Sequence, residues 1–248
     1  MKVFADLNET LINSNYGNLD VAIVRELDKE FPGIFRSAME KLSEIASWES
    51  RVLEAFKVLG AYKVPREKYL SVAQNLVEKV EVPEPVVKSF EKASDVLSGV
   101  YTFTGSSQEV AEIIAEKKLK PLIPSYTELM VFGTILYHDE NGLYSGKIGK
   151  LYGYNERKEM VKKLKVGDVA VGIADNYTTV NQGMVREGNY GIFLSKKWNS
   201  IDRQGNIFYV RPKHLHIAID QILNESLPVC KWIIKRDLYE REISPRTE

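Results

Sequence analysis

Apolar and polar positions along this chain follow two different periods. Residues 2–6 form a short apolar run closed by Asp6, which predicts a buried strand. From about 19 to 80 the period is helical. Ile23, Leu27, Phe31, Met39, Leu42, Ile45 and Ala46 recur at three- and four-residue spacing with charges between them. Pro32-Gly33 and Gly60 punctuate this stretch, and Pro65 suits the first turn of a further helix. The cluster Val82-Pro83-Glu84-Pro85 predicts a linker or domain boundary.

Beyond the prolines, strands and helices alternate. Residues 86–93 look helical, 99–103 form a strand, and 107–118 form a helix with Val110, Ile113 and Ile114 on one face. Residues 130–132 are a further strand candidate. Asn141-Gly142, between strand-like runs, is the strongest short hairpin signal in the chain. Asn155 is placed to cap a helix over 156–164. Residues 168–173 and 191–194 are two more buried strands. This alternation predicts an α/β fold with a mainly parallel sheet, interrupted after its first strand by some seventy residues of helix. Trp48, Phe56 and Tyr62 would give that helical segment its own small core, or one of them would line a pocket. The tail, 227–248, reads as a packed terminal helix.

Composition narrows the function classes. A length of 248 residues allows one large domain, or one domain carrying a sizeable insertion. The 34 basic and 34 acidic residues cancel, which gives no support for a nucleic-acid or membrane-surface binder. No apolar run is long enough to span a bilayer, and Asp6 comes too early for a signal-peptide core, so a cytoplasmic protein is expected. Cys230 is the single cysteine, which excludes an internal disulfide and a multi-cysteine zinc site. His214 and His216 stand two apart and, on a helix, would face different ways.

Several signatures fail. Gly142 to Lys147 has too few residues between its glycines for a phosphate-binding P-loop, no dinucleotide fingerprint follows the first strand, and no nucleophile elbow exists. What remains is a set of polar residues at the carboxyl ends of strand candidates, where open α/β sheets place their ligand crevice. The first strand delivers Asp6 and then Asn8. The second delivers Thr104, Gly105 and Ser106, Arg157 and Lys158 open a helix, and a later strand delivers Asp175, with Thr179 beyond it. Together these are the parts of a phosphoryl-transfer site. A carboxylate can attack phosphorus, a hydroxyl and turn amides can hold its oxygens, a cation can neutralise them, and two carboxylates can share a Mg²⁺.

This set resembles the haloacid dehalogenase-like (HAD) hydrolases, in particular their phosphoserine-phosphatase-like branch. The family's first motif, Asp-x-Asp-x-Thr-Leu, is matched by Asp6-Leu-Asn8-Glu-Thr10-Leu11. Its second, a strand ending in Ser or Thr, is matched by Tyr101-Thr-Phe-Thr104-Gly105-Ser106. Its third, a cation opening a helix, is matched by Arg157-Lys158, and its fourth by the strand running into Asp175 and Thr179. The resemblance covers about residues 1–12 and 89–210. It implies a three-layer Rossmann-like core over 1–12 and 89–248, with an all-helical cap inserted over 13–88. It also implies a Mg²⁺-dependent phosphatase working through an aspartyl phosphate on a small phosphorylated metabolite. Asp6 would be the nucleophile, and Thr104, Gly105, Ser106 and either Arg157 or Lys158 would hold the phosphate. Asp6, the Asn8 carbonyl, Asp175 and Thr179 would hold the metal.

Two positions depart from the pattern. Asn8 stands where phosphatases of the family carry a general-acid Asp, and a carboxamide neither lends a proton to a leaving alkoxide nor takes one from water. Thr179 stands where a second Asp is expected. A binding or regulatory protein that has lost catalysis, or a structural subunit, therefore remains beside the enzyme reading. The oligomeric state is left open, a homodimer included.

Overall fold

The computed structural model describes residues 1–14, 19–43, 47–175 and 179–226. The expectations for 45 and 46, for the tail at 227–248, and for the side chains of Trp48 and Thr179 lie outside what is described.

The chain is α/β. Among the described residues eight strands form one mixed sheet: β1 (Lys2–Asp6), β2 (Gly99–Ser107), β3 (Glu128–His138), β4 (Tyr144–Lys150), β5 (Ala170–Ala174), β6 (Tyr190–Leu194), β7 (Asp202–Gln204) and β8 (Ile207–Val210). Their order across the sheet is β4-β3-β2-β1-β5-β6-β8-β7. All neighbours pair in parallel except the two outermost, where β4 runs against β3 and β7 against β8. β1 therefore lies between strands reached by crossovers in both directions, and that reversal is where doubly wound sheets open a crevice.

Alternation along the central strands sorts side chains onto two faces. Phe4, Tyr101, Phe103, Phe132 and Phe193 gather on one face with Val161, Met184 and Val185 from helices α7 (Tyr154–Leu164) and α8 (Thr179–Glu187). The rings of Phe4 and Tyr101 stack at 4.9 Å, and those of Phe103 and Phe132 at 5.0 Å. The other face carries Val3, Ala5, Val100, Val171 and Ile173, and joins the larger apolar cluster. Because both faces are covered, these strands read as unbroken apolar runs, which is why residues 2–6, 99–103, 168–173 and 191–194 were recognisable.

Between β1 and β2 lie α1 (Leu19–Leu27), α2 (Ile34–Ser43), α3 (Trp48–Ala61), α4 (Arg66–Val77) and α5 (Glu84–Ala93). The chain leaves and returns through a narrow neck, where Asn13 and Glu81 exchange two backbone hydrogen bonds of 2.8 and 3.0 Å. The proline cluster at 82–85 is not a free linker. Pro83 is the N-cap of α5 and Pro85 lies in its first turn, where a missing N–H leaves no helical bond unmade.

The inserted helices are pinned to the β3–β4 hairpin. Arg66 N donates to Gly142 O at 2.8 Å and Tyr144 N to Val64 O at 3.0 Å. Tyr69 donates to Ser107 at 3.1 Å, Tyr144 donates to Glu109 at 2.6 Å, and Arg66 pairs with Glu109. The hairpin turn lies where Asn141-Gly142 predicts it, with Gly142 at φ +74°, but the loop runs from 139 to 143. It is held by Asp139, whose Oδ1 accepts from Asn141 N and Leu143 N at 2.9 and 3.0 Å.

Other expectations need correction. Asn155 does not cap α7, because the helix begins at Tyr154 with Gly153 as N-cap. β3 runs far past 130–132: its outer half pairs with β4 and exposes Ile135 and Tyr137, so it carries no two-sided burial signal. The edge pair β7–β8 was not foreseen, β7 being fully exposed. The helix expected over 107–118 does run that far, as α6 (Gln108–Ile114), capped by Ser107 and continued in wider π-helical turns over Ala115–Leu119.

Glycine is required where α3 meets β4. A Cβ on Gly60 would stand 2.2 Å from Gly146 N and 2.5 Å from its Cα, both backbone atoms that cannot rotate away. Gly60→Ala is expected to lose about 1–3 kcal/mol by forcing the hairpin off α3. A lowered urea midpoint checks this, and an unchanged midpoint would show that the contact yields freely.

Candidate active site

The parallel register brings the predicted residues to one edge. Asp6 lies opposite Phe103 across β1 and β2, and Ala5 opposite Ile173 across β1 and β5. Asn8 follows β1, Thr104 to Ser106 lie at the carboxyl end of β2, and Asp175 follows β5. Asp6, Asn8, Thr104, Gly105, Ser106 and Asp175 all line one cavity of about 440 Å³ between the sheet edge and the inserted helices.

Of the two third-motif candidates, Arg157 is the one bonded to Asp6, although it does not line the cavity itself. Its side chain is 1% exposed, and its guanidinium donates to Asp6 Oδ1 at 2.9 Å and to Asn181 Oδ1 at 2.6 Å. Its Nε donates to Tyr152 O at 3.0 Å, and the ring of Phe103 lies 5.7 Å beneath the charge. Lys158 follows on the same helix, turned about 100° around its axis, and is half-buried rather than packed against Asp6. Arg157, not Lys158, is the cation that reaches the carboxylate.

The loop after β1 is held from both sides. Leu7 N donates to Phe103 O, Leu11 N and Ile12 N return to Leu7 O, and Glu9 takes a left-handed φ of 59°. A non-glycine residue there costs free energy that the surrounding bonds must offset. Asn8 sends its amide to Thr104 Oγ1 and Ser106 Oγ, both at 3.1 Å. Thr104 Oγ1 also accepts from Ser106 N at 3.1 Å, and Thr134 Oγ1 donates to Gly105 O at 2.7 Å, fixing the turn. Hydroxyls and turn amides thus face the mouth of β1, a setting suited to phosphoryl oxygens.

Four polar cavity residues were missed: Glu9, Asp20, Arg51 and Tyr69. Asp20 sits in the first turn of α1 and accepts from Ser106 Oγ at 2.6 Å through Oδ2. Its position in a predicted helix start was the only signal available; its approach to Ser106 is tertiary. Asn181, the second acceptor for Arg157, was equally invisible. Phe56, expected to serve the helical core or a pocket, does both.

Burial pushes the Asp6 carboxyl above its ordinary value, and the Arg157 guanidinium pulls it back down. Burial likewise raises Asp20, to about 6, against hydrogen bonding from Ser106, from the amides of Ser107 and Asp20 itself, and from Tyr69. Among the described residues no group of three or more His, Cys, Asp or Glu side chains converges on a metal-sized site. Asp6 and Asp175 bring two carboxylates to the one cavity, with Asn8 beside them, and Mg²⁺ commonly takes one or two protein carboxylates with waters and substrate phosphate. The donor chemistry fits that ion.

No family model matches the sequence, and no curated protein matches it. Solved structures do match. A phosphoserine phosphatase from T. onnurineus superposes with a TM-score of 0.54 at 18% identity, over 88% of this chain and 92% of its own. A phosphoserine phosphatase holding a phospho-aspartyl intermediate analogue superposes at 0.52 and 18%, over 78% and 85%. The fold is HAD-like, of the phosphoserine-phosphatase kind. A putative beta-phosphoglucomutase from Thermotoga maritima shares the HAD-like fold at 0.52 and 12%, over 90% and 99%. Among the described residues no helix is long and apolar enough to cross a membrane.

Two outcomes test the electrostatics. Asp6→Ala leaves the buried guanidinium without its carboxylate and is expected to destabilise the fold by about 3 kcal/mol, the lower end for breaking a buried pair, since Asn181 and the Tyr152 carbonyl remain. Adding Arg157→Met should recover part of that loss in urea unfolding. Asp20 gives a pH dependence. Its folded carboxyl keeps a proton up to about 6 against an ordinary value of 3.8, so the native state binds the extra proton between them. That contribution is present at low pH and lost as pH rises through this window. Asp20→Asn should therefore gain in Tm relative to the parent across it, whereas a constant difference would show ordinary titration.

Proposed function

We propose that this protein is a Mg²⁺-dependent phosphomonoesterase acting on a small phosphorylated metabolite. The observation that carries the reading is the convergence of Asp6, Asn8, Thr104, Gly105, Ser106 and Asp175 on one cavity, with Arg157 bonded to Asp6 from behind. The HAD-like fold supports it, as does a neighbour of that fold solved with a phospho-aspartyl analogue.

Asp6 attacks phosphorus and carries the phosphoryl group as an acyl phosphate, which water then releases. Arg157 keeps Asp6 oriented through a bond that Asn181 and the Tyr152 carbonyl hold in place. The Thr104 hydroxyl and the Gly105 amide receive the phosphoryl oxygens, while the Ser106 amide holds Thr104 in place. Asp6, the Asn8 carbonyl and Asp175 would hold Mg²⁺, with Thr179 as a further candidate ligand. Bound there, the ion supplies neutralisation of the charge on those oxygens.

The inserted helices act as a cap that sets specificity. They line the cavity with Val24, Phe35, Ala38, Met39, Val52 and Phe56, an apolar wall opposite a polar floor. A volume of about 440 Å³ admits a metabolite rather than a polymer segment. No nucleic-acid or membrane partner is proposed, and nothing in the site requires a second subunit.

A catalytically silent binding protein is the second reading, favoured by one observation: the Asn8 amide is committed to Thr104 and Ser106 and offers no proton for transfer. Nitrophenyl phosphate separates the two, because its leaving group needs little protonation. Hydrolysis is expected with Mg²⁺, lost on chelation and reduced to background in Asp6→Asn. Phosphate binding without turnover would favour the silent protein, and undiminished turnover in Asp6→Asn would overturn the mechanism.

A further inference from the structure

A phosphatase that splits an alkyl ester needs a proton for the leaving oxygen, and Asn8 has no acidic proton to give. Asp20 lies one hydroxyl away. Ser106 Oγ accepts from Asn8 Nδ2 at 3.1 Å and donates to Asp20 Oδ2 at 2.6 Å. Asp20 lines the same cavity as Asp6 but enters from the inserted helix α1, whereas Asp6 enters from the sheet. Its second oxygen, Oδ1, is buried and makes no well-formed hydrogen bond, although the Ser107 amide and the Tyr69 hydroxyl lie close enough to favour the charge.

We propose that Asp20 is the general acid and base of this site, taking from the inserted helices the role that residue 8 cannot fill. The inference rests on the phosphatase reading and adds a residue to it. In the first step an Asp6 oxygen bonds to phosphorus, the ester P–O bond breaks, and the leaving oxygen takes the proton of the Asp20 carboxyl, giving free alcohol. In the second step a water gives that proton back to the Asp20 carboxylate as its oxygen bonds to phosphorus. The acyl P–O bond then breaks, releasing phosphate and restoring Asp6. Atoms and protons balance, and both residues end as they began.

The surroundings suit a carboxyl that exchanges a proton near neutrality. α1 packs against α2, α4 and β2. α2 presents Phe35, Ala38 and Met39 to the cavity, none of them titratable; α4 presents Tyr69; and the carboxyl end of β2 presents the neutral Ser106 and Ser107. Across the cavity stand Asp6, Glu9, Asp175 and Arg51. Burial is the largest influence, and it holds the proton on Asp20 up to about 6.

The test is a series of substituted phenyl phosphates, from nitrophenyl to methoxyphenyl, assayed on the full chain with Mg²⁺. In the parent, kcat/KM should depend weakly on the leaving group. In Asp20→Asn it should fall about 10²–10⁴-fold for the poorest leaving group and far less for nitrophenyl, so the dependence steepens. Adding Asn8→Asp to Asp20→Asn should restore the shallow slope, because it returns a carboxyl to the other side of Ser106. A readout needing no variant is the parent's methoxyphenyl-to-nitrophenyl ratio of kcat/KM, which should fall as pH rises through about 6. A uniform loss across the series, no loss, or a pH-independent ratio would each overturn the role of Asp20 while leaving the phosphatase reading intact. A parent inactive on every ester would overturn both.

Discussion

The site is organised around a charge that water cannot reach. Arg157 is almost wholly buried, and a guanidinium so placed must be paired and hydrogen-bonded, because desolvating an unpaired ion costs several kcal/mol. Its partners include Asp6 at the end of β1, the Tyr152 carbonyl just before α7, and Asn181 in the first turn of α8. Moving any of these elements outward would strand the charge. The same bonds that satisfy Arg157 therefore fix where the Asp6 carboxylate points, so that stability and the orientation of that carboxylate are set by one interaction. Phe103 beneath the guanidinium ties this arrangement to the aromatic face of the sheet.

How far the sequence could be read follows from which interactions are local. β1, β2, β5 and β6 are buried on both faces and so announce themselves as apolar runs, and the residues just past them fall at the crevice edge whatever the details of packing. Asp6, Thr104 and Asp175 were legible for that reason. β7 was not, because three exposed residues at an edge carry no pattern. The choice between Arg157 and Lys158 depends on the phase of α7, and assuming Asn155 as its cap, when the cap is Gly153, left that phase unknown. Asp20 and Asn181 were beyond reach altogether, since each acquires meaning only from a partner 86 or 24 residues away.

The inserted helices do more than cover the crevice. Their paired neck at Asn13 and Glu81 is a natural hinge, yet a second set of ties, from Val64 and Arg66 to the β3–β4 hairpin and from Tyr69 to Ser107, holds them down on the far side. The Gly60–Gly146 approach lets α3 sit directly on the hairpin backbone. Opening on the scale of a hinge would break the hairpin ties while leaving the neck intact. Those ties include the Arg66–Glu109 pair, and an apolar cluster runs from the inserted helices into the sheet, so opening would also have to expose part of that shared core.

The position of Asp20 gives that motion a chemical consequence. Asn8 is anchored to the sheet edge by its own loop, whereas Asp20 belongs to α1 and meets the floor at the Ser106 hydroxyl and the Ser107 amide. In an arrangement with the proton donor on the floor, the acid is present whether or not the crevice is covered. With the donor on the helices, acid, apolar wall and exclusion of water arrive together on closure, and they separate together on opening. The Asn8 carboxamide is then no mere loss: it donates to Thr104 and Ser106, where a second carboxylate beside Asp20 would add like charge in a buried space and drive one of the pair to stay protonated. A neutral donor at position 8 is what allows Ser106 to give its own proton to Asp20, which ties the substitution in the first motif to the carboxylate in the cap.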